Sequence, residues 1–230
     1  MILQGGAILV EGDGEVRLPR GDALPADRDR LGEPVPLGLT AGREYLLAEL
    51  AEDQALDEIW RAADLRSLYG RLPDIEWAIA GYATQVAHWQ RTSRFCPVCG
   101  ATMGSPGLEW RRRCPGCGHE RYPIVSPAVL ALVHDGDRIL LAHKPGWGAR
   151  RSILAGFVLP GESLEECVRR EVLEEAGVEV DQIEYFGSQP WPFPQQLMIG
   201  FRTRYNSGVI RIDADELAGA DWYDFRSMPP

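Results

Sequence analysis

The sequence predicts an α+β protein: a small N-terminal α+β domain over 1–92, a cysteine-bearing segment over 93–122, and a mixed α/β sandwich over 123–230. Three observations predict it. Short apolar runs bounded by Gly, Asp and Asn recur at both ends of the chain, as strands do. Between them, Ile75, Ile79, Tyr82, Val86 and Trp89 fall at i, i+4, i+7, i+11 and i+14 after Pro73, the stripe of one long helix. Two C-x-x-C pairs then separate that helix from a second set of strands, which flanks one acidic helix.

At 230 residues the chain can bury one substantial core or two modest ones, and its 45% hydrophobic content is ordinary for a globular protein. No apolar run reaches the roughly 18 residues that a membrane span needs. The start, MILQGGAILVEGDG, has neither a basic region nor a long apolar run, so no signal peptide is expected and a cytoplasmic location is. A net charge of −10 argues against broad electrostatic binding of nucleic acid. An anionic substrate would then need local help from a metal ion or from arginine.

In chain order, 6–10 and 15–18 read as strands joined by the GDG turn at 12–14, and 22–36, rich in Pro, Asp and Arg, reads as a loop. Residues 44–50 form another strand or a short helix. Helix is expected over 62–92, its apolar stripe serving as core or as a domain or subunit contact. Cys96/Cys99 and Cys114/Cys117 are separated by fourteen residues, and Gly100 and Gly118 follow them where a knuckle often needs positive φ. Two knuckles supply four thiolates for tetrahedral Zn²⁺, which outranks disulfides, a redox dithiol or an iron–sulfur centre. A closed four-cysteine set leaves no open position, so this metal should hold structure and not do chemistry. Cys167, the fifth thiol, reads as a small core residue. Arg91, Arg94, Arg111, Arg112, Arg113 and Arg121 face Glu109 and Glu120 across this segment; an ordinary solvated hairpin outweighs a basic patch for phosphate or RNA.

Beyond 123, strands are expected at 128–133 and 138–142, joined by an Asp135-Gly136 hairpin; 153–158 leads into the acidic helix, and further strands are expected at 183–186, 197–205 and 222–224, with a turn at 206–208. The segment SQPWPFPQ at 188–195 has three prolines in five positions, which rules out a regular helix and disfavours a pairing strand. As a stiff loop it either presents Trp191 and Phe193 to a planar ring or simply packs them. Gln189, Gln195 and Gln196 could bond an amide or a base edge.

The acidic helix lies in 156–178, GFVLPGESLEECVRREVLEEAGV. Ser163 with Glu166 three residues on is a capping-box start, and Gly177 sits where a left-handed cap is expected. Glu171, Glu174 and Glu175 fall at i, i+3 and i+4, on one side of the helix. A solvated acidic face is the bland alternative. Against it, Leu164, Cys167, Val168 and Val172 lie in the same arc, so the carboxylates border the buried stripe. Carboxylates crowded there repel each other and lose solvation, so they call for a cation, and oxygen-only ligands select a hard ion such as Mg²⁺ or Mn²⁺.

The same stretch resembles the Nudix box, G-x5-E-x7-R-E-U-x-E-E-x-G-U with U a bulky aliphatic residue. Gly156, Glu162, Arg170, Glu171, Val172, Glu174, Glu175, Gly177 and Val178 fill every fixed position. The resemblance implies an α/β/α sandwich with a mixed sheet, and divalent-metal hydrolysis of a nucleoside diphosphate linked to another group. SQPWPFP after the box resembles the motif of the NADH pyrophosphatases, which carry a four-cysteine zinc ribbon behind a small N-terminal domain. The likeness is dense over 66–223. It implies hydrolysis of NAD(H) to nicotinamide mononucleotide and AMP, and by the same chemistry removal of NAD caps from RNA. Another nucleoside diphosphate derivative such as ADP-ribose is the alternative substrate; a non-catalytic nucleotide sensor is disfavoured by the intact glutamates.

Carried over position by position, the resemblance places Zn²⁺ on Cys96, Cys99, Cys114 and Cys117. It places Mg²⁺ or Mn²⁺ on Glu171, Glu175, Glu216 and the carbonyl of Ala155. Glu174 either orients or deprotonates the attacking water or pairs with Arg170 at i, i+4. Arg66, Glu109, Tyr122, Phe157, Gln189, Pro190, Trp191, Pro192, Phe193, Pro194, Gln195 and Gln196 contact the dinucleotide; at Gln196 the family usually has serine. Relatives form homodimers and continue into a further helix, so 123–230 is expected to lack the family's final helix.

Overall fold

The computed structural model describes residues 1–12, 15–21, 23–40, 42–107 and 109–228, with Arg28 as backbone only. They form two compact units: Met1–Ile124 with Pro192–Gln195, and Val125–Trp191 with Gln196–Pro230.

The first unit is built on a five-stranded sheet. Its strands are β1 (Ile2–Gln4), β2 (Ala7–Glu11), β3 (Val35–Thr40), β4 (Arg43–Leu50) and β5 (Trp60–Ala63), in the order β3-β4-β1-β2-β5. β1 and β4 run parallel, and the other neighbours are antiparallel. Period-two alternation divides the apolar residues between the two faces. Leu3, Ile8, Val10 and Leu47 pack with helix α1 (Asp74–Thr92) through Ala80, Ala83, Val86 and Ala87. Ile2, Leu9, Ala48 and Leu50 pack with Leu24, Leu31 and Leu56 on the other face.

Several expectations for this unit are corrected. Residues 15–18 form no strand; only a single bridge joins Arg17 to Glu11. Of the 12–14 turn, Asp13 and Gly14 lie outside the described residues. Residues 44–50 are strand, and β3 begins inside the expected 22–36 loop. The helix does not extend back to 62: Ala62 and Ala63 end β5, and Leu65–Leu68 is a 3₁₀ turn capped by Asp64. The helix itself starts after Pro73 as expected, and Val86 and Trp89 of the predicted stripe are buried, but toward its N-terminal half the buried face is rotated from that stripe. Ile75 and Tyr82 are exposed, whereas Glu76, Ala80, Ala83 and Ala87 are buried. Alanines let the helix axis approach the sheet closely, and a side-chain hydrophobicity pattern does not register that advantage.

The second unit carries β8 (Ser126–Asp135), β9 (Arg138–His143), β10 (Leu154–Phe157), α2 (Leu164–Ala176), β11 (Val178–Trp191), β12 (Gln196–Gly208) and β13 (Gly219–Asp224). Two-residue strands β6 (Arg112–Arg113) and β7 (Glu120–Arg121) precede them, in the cysteine segment. The sheet order is β11-β12-β8-β9-β13, with β10 added beside β8. β8 and β12 are parallel at its centre and the remaining pairs antiparallel, so the sheet is mixed. α2 buries Cys167, Val168, Val172 and Ala176 against Val129, Ala131, Leu154, Ile199 and Phe201. Cys167 is thus the core residue that its surroundings in the sequence suggested.

Two local expectations fail here. Residues 188–191 are not loop: Gln189, Pro190 and Trp191 pair with Met198, Leu197 and Gln196. β11 is an edge strand, where a proline without an N–H costs no ladder bond if that side faces outward. Only Pro192–Gln195 remain between the two strands. Residues 206–208 are likewise strand, and the register shift between Glu179 and Val180 absorbs Asn206 as a bulge.

Candidate metal centres and active site

The four paired cysteines converge. Cys96 Sγ lies 3.6 Å from Cys117 Sγ and Cys99 Sγ 3.5 Å from Cys114 Sγ. Tetrahedral Zn–S bonds of about 2.3 Å require sulfur separations near 3.8 Å, so the donor set fits Zn²⁺ after a slight expansion. The knuckles supply this geometry. Gly100 and Gly118, at φ 75° and 76°, donate their amides to the carbonyls of Cys96 and Cys114 at 2.9 Å. The Cys117 amide, bonded to Cys114, helps hold that thiol down to about 7, on the way to the thiolate that a metal needs. All five cysteines are free of disulfides.

The second candidate centre is built on α2 and β10. Ser163 and Glu166 form the full capping box, and Gly177 closes the helix at φ 72°. The carboxylates then take three different environments. Glu175 is buried, Glu171 has a side chain 12% exposed, and the Glu174 side chain is 59% exposed. Glu175 Oε2 accepts from the Ala155 amide at 3.3 Å, while its Oε1 is buried with no hydrogen-bond partner. The Glu175 carboxyl is raised to about 7, chiefly by burial and in smaller part by the charges of Glu171 and Glu216, against the opposing Ala155 amide and Lys144. A desolvated acceptor facing nothing fits a cation ligand, so these residues suit a divalent metal. Gly156 is required opposite Glu171: a Cβ there would lie 1.7–2.1 Å from that carboxylate.

Arg170 ties the cluster together. Its Nε and Nη2 hold Glu162 at 2.7 and 2.9 Å, Nη1 donates to Glu171 at 2.8 Å and Glu174 at 3.0 Å, and Nη2 also reaches the Phe157 carbonyl at 2.9 Å. The i, i+4 pair with Glu174 was legible in the sequence; the fork to Glu162, eight residues back across the cap, was not. Lys144 was also missed, although as the sole lysine in the chain it stood out.

Among the described residues, only the four cysteines bring three or more ligand atoms within 4.8 Å of one another. Glu171, Glu175 and Glu216 do not converge that closely, and Glu216 is exposed after a turn begun at Asp213. Ala155 adjoins Glu175 through its N–H. Sheet register places Phe157 opposite Ala128, Ala128 opposite Met198, and Met198 opposite Gln189. Trp191 and Gln196 lie two positions along from Gln189 and Met198, so all four predicted contacts share one sheet face. A cavity of about 380 Å³ there is lined by Gln189, Met198, Leu130 and Phe186. In the first unit, the Arg66 guanidinium lies 4.1 Å above the Phe193 ring, Pro192 packs on Gly81, and Glu109 and Tyr122 are exposed.

The domain families match this arrangement along the chain. The NUDIX domain matches 125–230, the NADH pyrophosphatase zinc ribbon domain 91–122, and the NADH pyrophosphatase-like rudimentary NUDIX domain 1–89. A relative from Pseudomonas putida (strain W619), named NAD-capped RNA hydrolase NudC, is 39% identical over 226 residues, covering 96% of this chain and 80% of its own. The chain belongs to the Nudix family, in its zinc-ribbon, NADH pyrophosphatase-like group. A relative of the same name from Pseudomonas aeruginosa (strain LESB58) is 47% identical over 156 residues, 67% of this chain; the match spans 56% of that relative's length. A solved Nudix hydrolase from Nitrosomonas europaea superposes with a TM-score of 0.51 at 24% identity, over 59% of this chain and 80% of that one, and shows the shared fold. The Nudix assignment makes 156–178 the box, with a divalent metal expected on it, and the four cysteines the ligands of a structural zinc.

Proposed function

We propose that this chain hydrolyses the pyrophosphate of NAD(H) to nicotinamide mononucleotide and AMP, and that it cleaves the same bond in NAD-capped RNA. The observation that carries the reading is the buried Glu175 carboxylate with one unpartnered oxygen, beside Glu171 on the box helix. The relatives named NAD-capped RNA hydrolase support the substrate class.

Glu171, Glu175, Glu216 and the Ala155 carbonyl are assigned to Mg²⁺ or Mn²⁺, which when bound neutralises pyrophosphate charge and acidifies the attacking water. The chain's own groups do the rest. Arg170 fixes Glu171 and Glu162 in place. Glu174, open to solvent and held through one oxygen by Arg170, is assigned to orient the water and hold its proton. Phe157, Gln189, Pro190, Trp191 and Gln196 are assigned to the dinucleotide on the sheet face they share or border. Arg66, Glu109, Tyr122, Pro192, Phe193, Pro194 and Gln195 keep the substrate contacts that the family resemblance implies. The domains are taken as 1–92, 93–122 and 123–230. No helix among the described residues is long and apolar enough to cross a membrane. The resemblance implies a homodimer, and the location is taken as cytoplasmic; light scattering that returned a single-chain mass would remove the dimer.

The test is NADH turnover with added Mg²⁺ or Mn²⁺. Wild type should release AMP, and Glu175→Gln should lose at least roughly a hundredfold in kcat with its circular dichroism unchanged, since even outer-shell changes at metal sites cost 10–100-fold. Near-normal turnover by the variant would sink the metal assignment. Glu174→Gln separates the two roles open to that residue: a loss in kcat of similar size supports the water, and a loss of a few-fold supports pairing with Arg170 alone.

A further inference from the structure

The first unit holds a cavity lined by none of the candidate site residues. Its volume is about 660 Å³, and its walls include Ile2, Leu18, Leu24, Leu31 and Leu46. Small-molecule sites typically enclose roughly 300–1,000 Å³ of mostly apolar wall with a few convergent polar groups. Here the charged side chains are Arg20, Arg43, Glu44 and Glu76.

Glu76 stands in the first turn of α1 and is only 4% exposed. Both arginines converge on its Oε1, Arg20 Nη2 at 2.7 Å and Arg43 Nη1 at 3.5 Å. A carboxylate this deeply buried needs a counter-charge, and one guanidinium supplies it. The second leaves the trio with one surplus positive charge. Each guanidinium carries five N–H donors, and both arginine side chains remain more than half exposed, at 58% and 60%. Donors are therefore left over for an oxyanion. Glu44 also lines the cavity and offsets that surplus, so an oxyanion is held by the spare guanidinium donors and not by net charge. Tyr45 is the one aromatic residue among those lining it, so the walls suit an aliphatic body better than a stacked base.

We propose that this cavity binds an amphipathic oxyanion: a carboxylate or phosphate head on Arg20 and Arg43, and an aliphatic body against the leucines. The proposal is independent of the hydrolytic reading. It is tested by isothermal titration of the full chain with decanoate and with decyl phosphate, against decylamine and inorganic phosphate as controls. Saturable one-to-one binding of either decyl anion is expected, and the tighter of the two identifies the head group. Arg43→Ala should weaken it by roughly tenfold, the loss of a charge-assisted hydrogen bond. Leu24→Trp, which keeps both arginines and fills the cavity, should abolish it, and neither variant should alter kcat for NADH. Independently of any variant, decanoate should slow amide exchange of the wild type at 18–24 and 43–48. No saturable binding, equal binding of decylamine or of phosphate alone, wild-type affinity in both variants, or binding without that protection would overturn the proposal.

Discussion

Glu175 sits in a conflict created by its position on α2. The helix periodicity that aligns it with Glu171 and Glu174 also turns it toward the core, where one oxygen meets the Ala155 amide and the other meets no protein donor. With no cation bound, burial holds its proton up to about 7, against 4.5 for an ordinary glutamate. The folded chain then keeps a proton that the unfolded chain releases. Stability of metal-free protein should fall as pH rises from about 4.5 to about 7 and stay low above that, a loss on the order of 3 kcal/mol. Urea unfolding of chelator-treated protein across this range measures it. Glu175→Gln should flatten the dependence, and a divalent ion should restore stability at pH 8 in the wild type only. Equal pH dependence in wild type and variant would refute the burial argument. Gly156 is the complementary residue. Gly156→Ala places a methyl group on the Glu171 carboxylate, so strand or ligand must shift. A displacement of about 1 Å at such a site costs roughly a hundredfold in kcat/KM, readable by NADH turnover at unchanged circular dichroism.

Among the elements, α2 was the most legible. Its cap box, its left-handed glycine and its apolar arc are each set by residues three or four apart in the chain, and local signals of that kind survive folding unchanged. The cysteine knuckles were legible for the same reason. What the sequence did not disclose is non-local. The Glu162–Arg170 fork depends on how the chain before Ser163 returns toward the helix. That fork holds the Glu162 proton down to about 2, chiefly through the Arg170 hydrogen bonds and the Leu159 amide. Its stabilisation is present above pH about 4.5 and is lost as pH falls toward 2. Arg170→Ala should therefore move the acid-unfolding midpoint to higher pH, as followed by tryptophan fluorescence. An unmoved midpoint would mean the fork is neutral for stability. Pro190 shows the converse error. Proline argues against a central strand, but strand order, which makes β11 an edge, is a property of the whole sheet. The helix α1 was placed correctly from Pro73 and its stripe only in part: Val86 and Trp89 are buried, but close packing of Ala80, Ala83 and Ala87 outweighed the larger side chains of Ile75 and Tyr82. For the ribbon, chelation should release one zinc per chain and speed amide exchange across 94–121 while leaving α2 protected.

At the scale of the molecule, a net charge of −10 coexists with an arginine-rich ribbon. Much of that positive charge is already engaged. Arg91 pairs with Glu49, Arg111 with Glu120, and Arg112 bonds the Gly104 carbonyl and lies over Trp89. This agrees with the solvated-hairpin reading and limits the ribbon's call on an RNA backbone. Replacing Arg111, Arg112 and Arg113 by alanine should accordingly leave kcat/KM for NADH unchanged and lower that for NAD-capped RNA by no more than a few-fold; a large loss confined to RNA would assign the ribbon to the transcript. The first unit was the least legible part of the chain. Its three-residue β1 and parallel β1–β4 pairing carry almost no local signal, and its buried Glu76 reads in sequence as an ordinary helix-start acid. Glu175 and Glu171 are proposed to hold a divalent ion for cleavage of a dinucleotide pyrophosphate. The most direct measurement is product analysis of NADH incubated with wild type and with Glu175→Gln, each with Mg²⁺ or Mn²⁺ and each with chelator. AMP and reduced nicotinamide mononucleotide are expected from the wild type with metal alone. Intact NADH in that reaction, or equal AMP from the variant, would contradict that proposal.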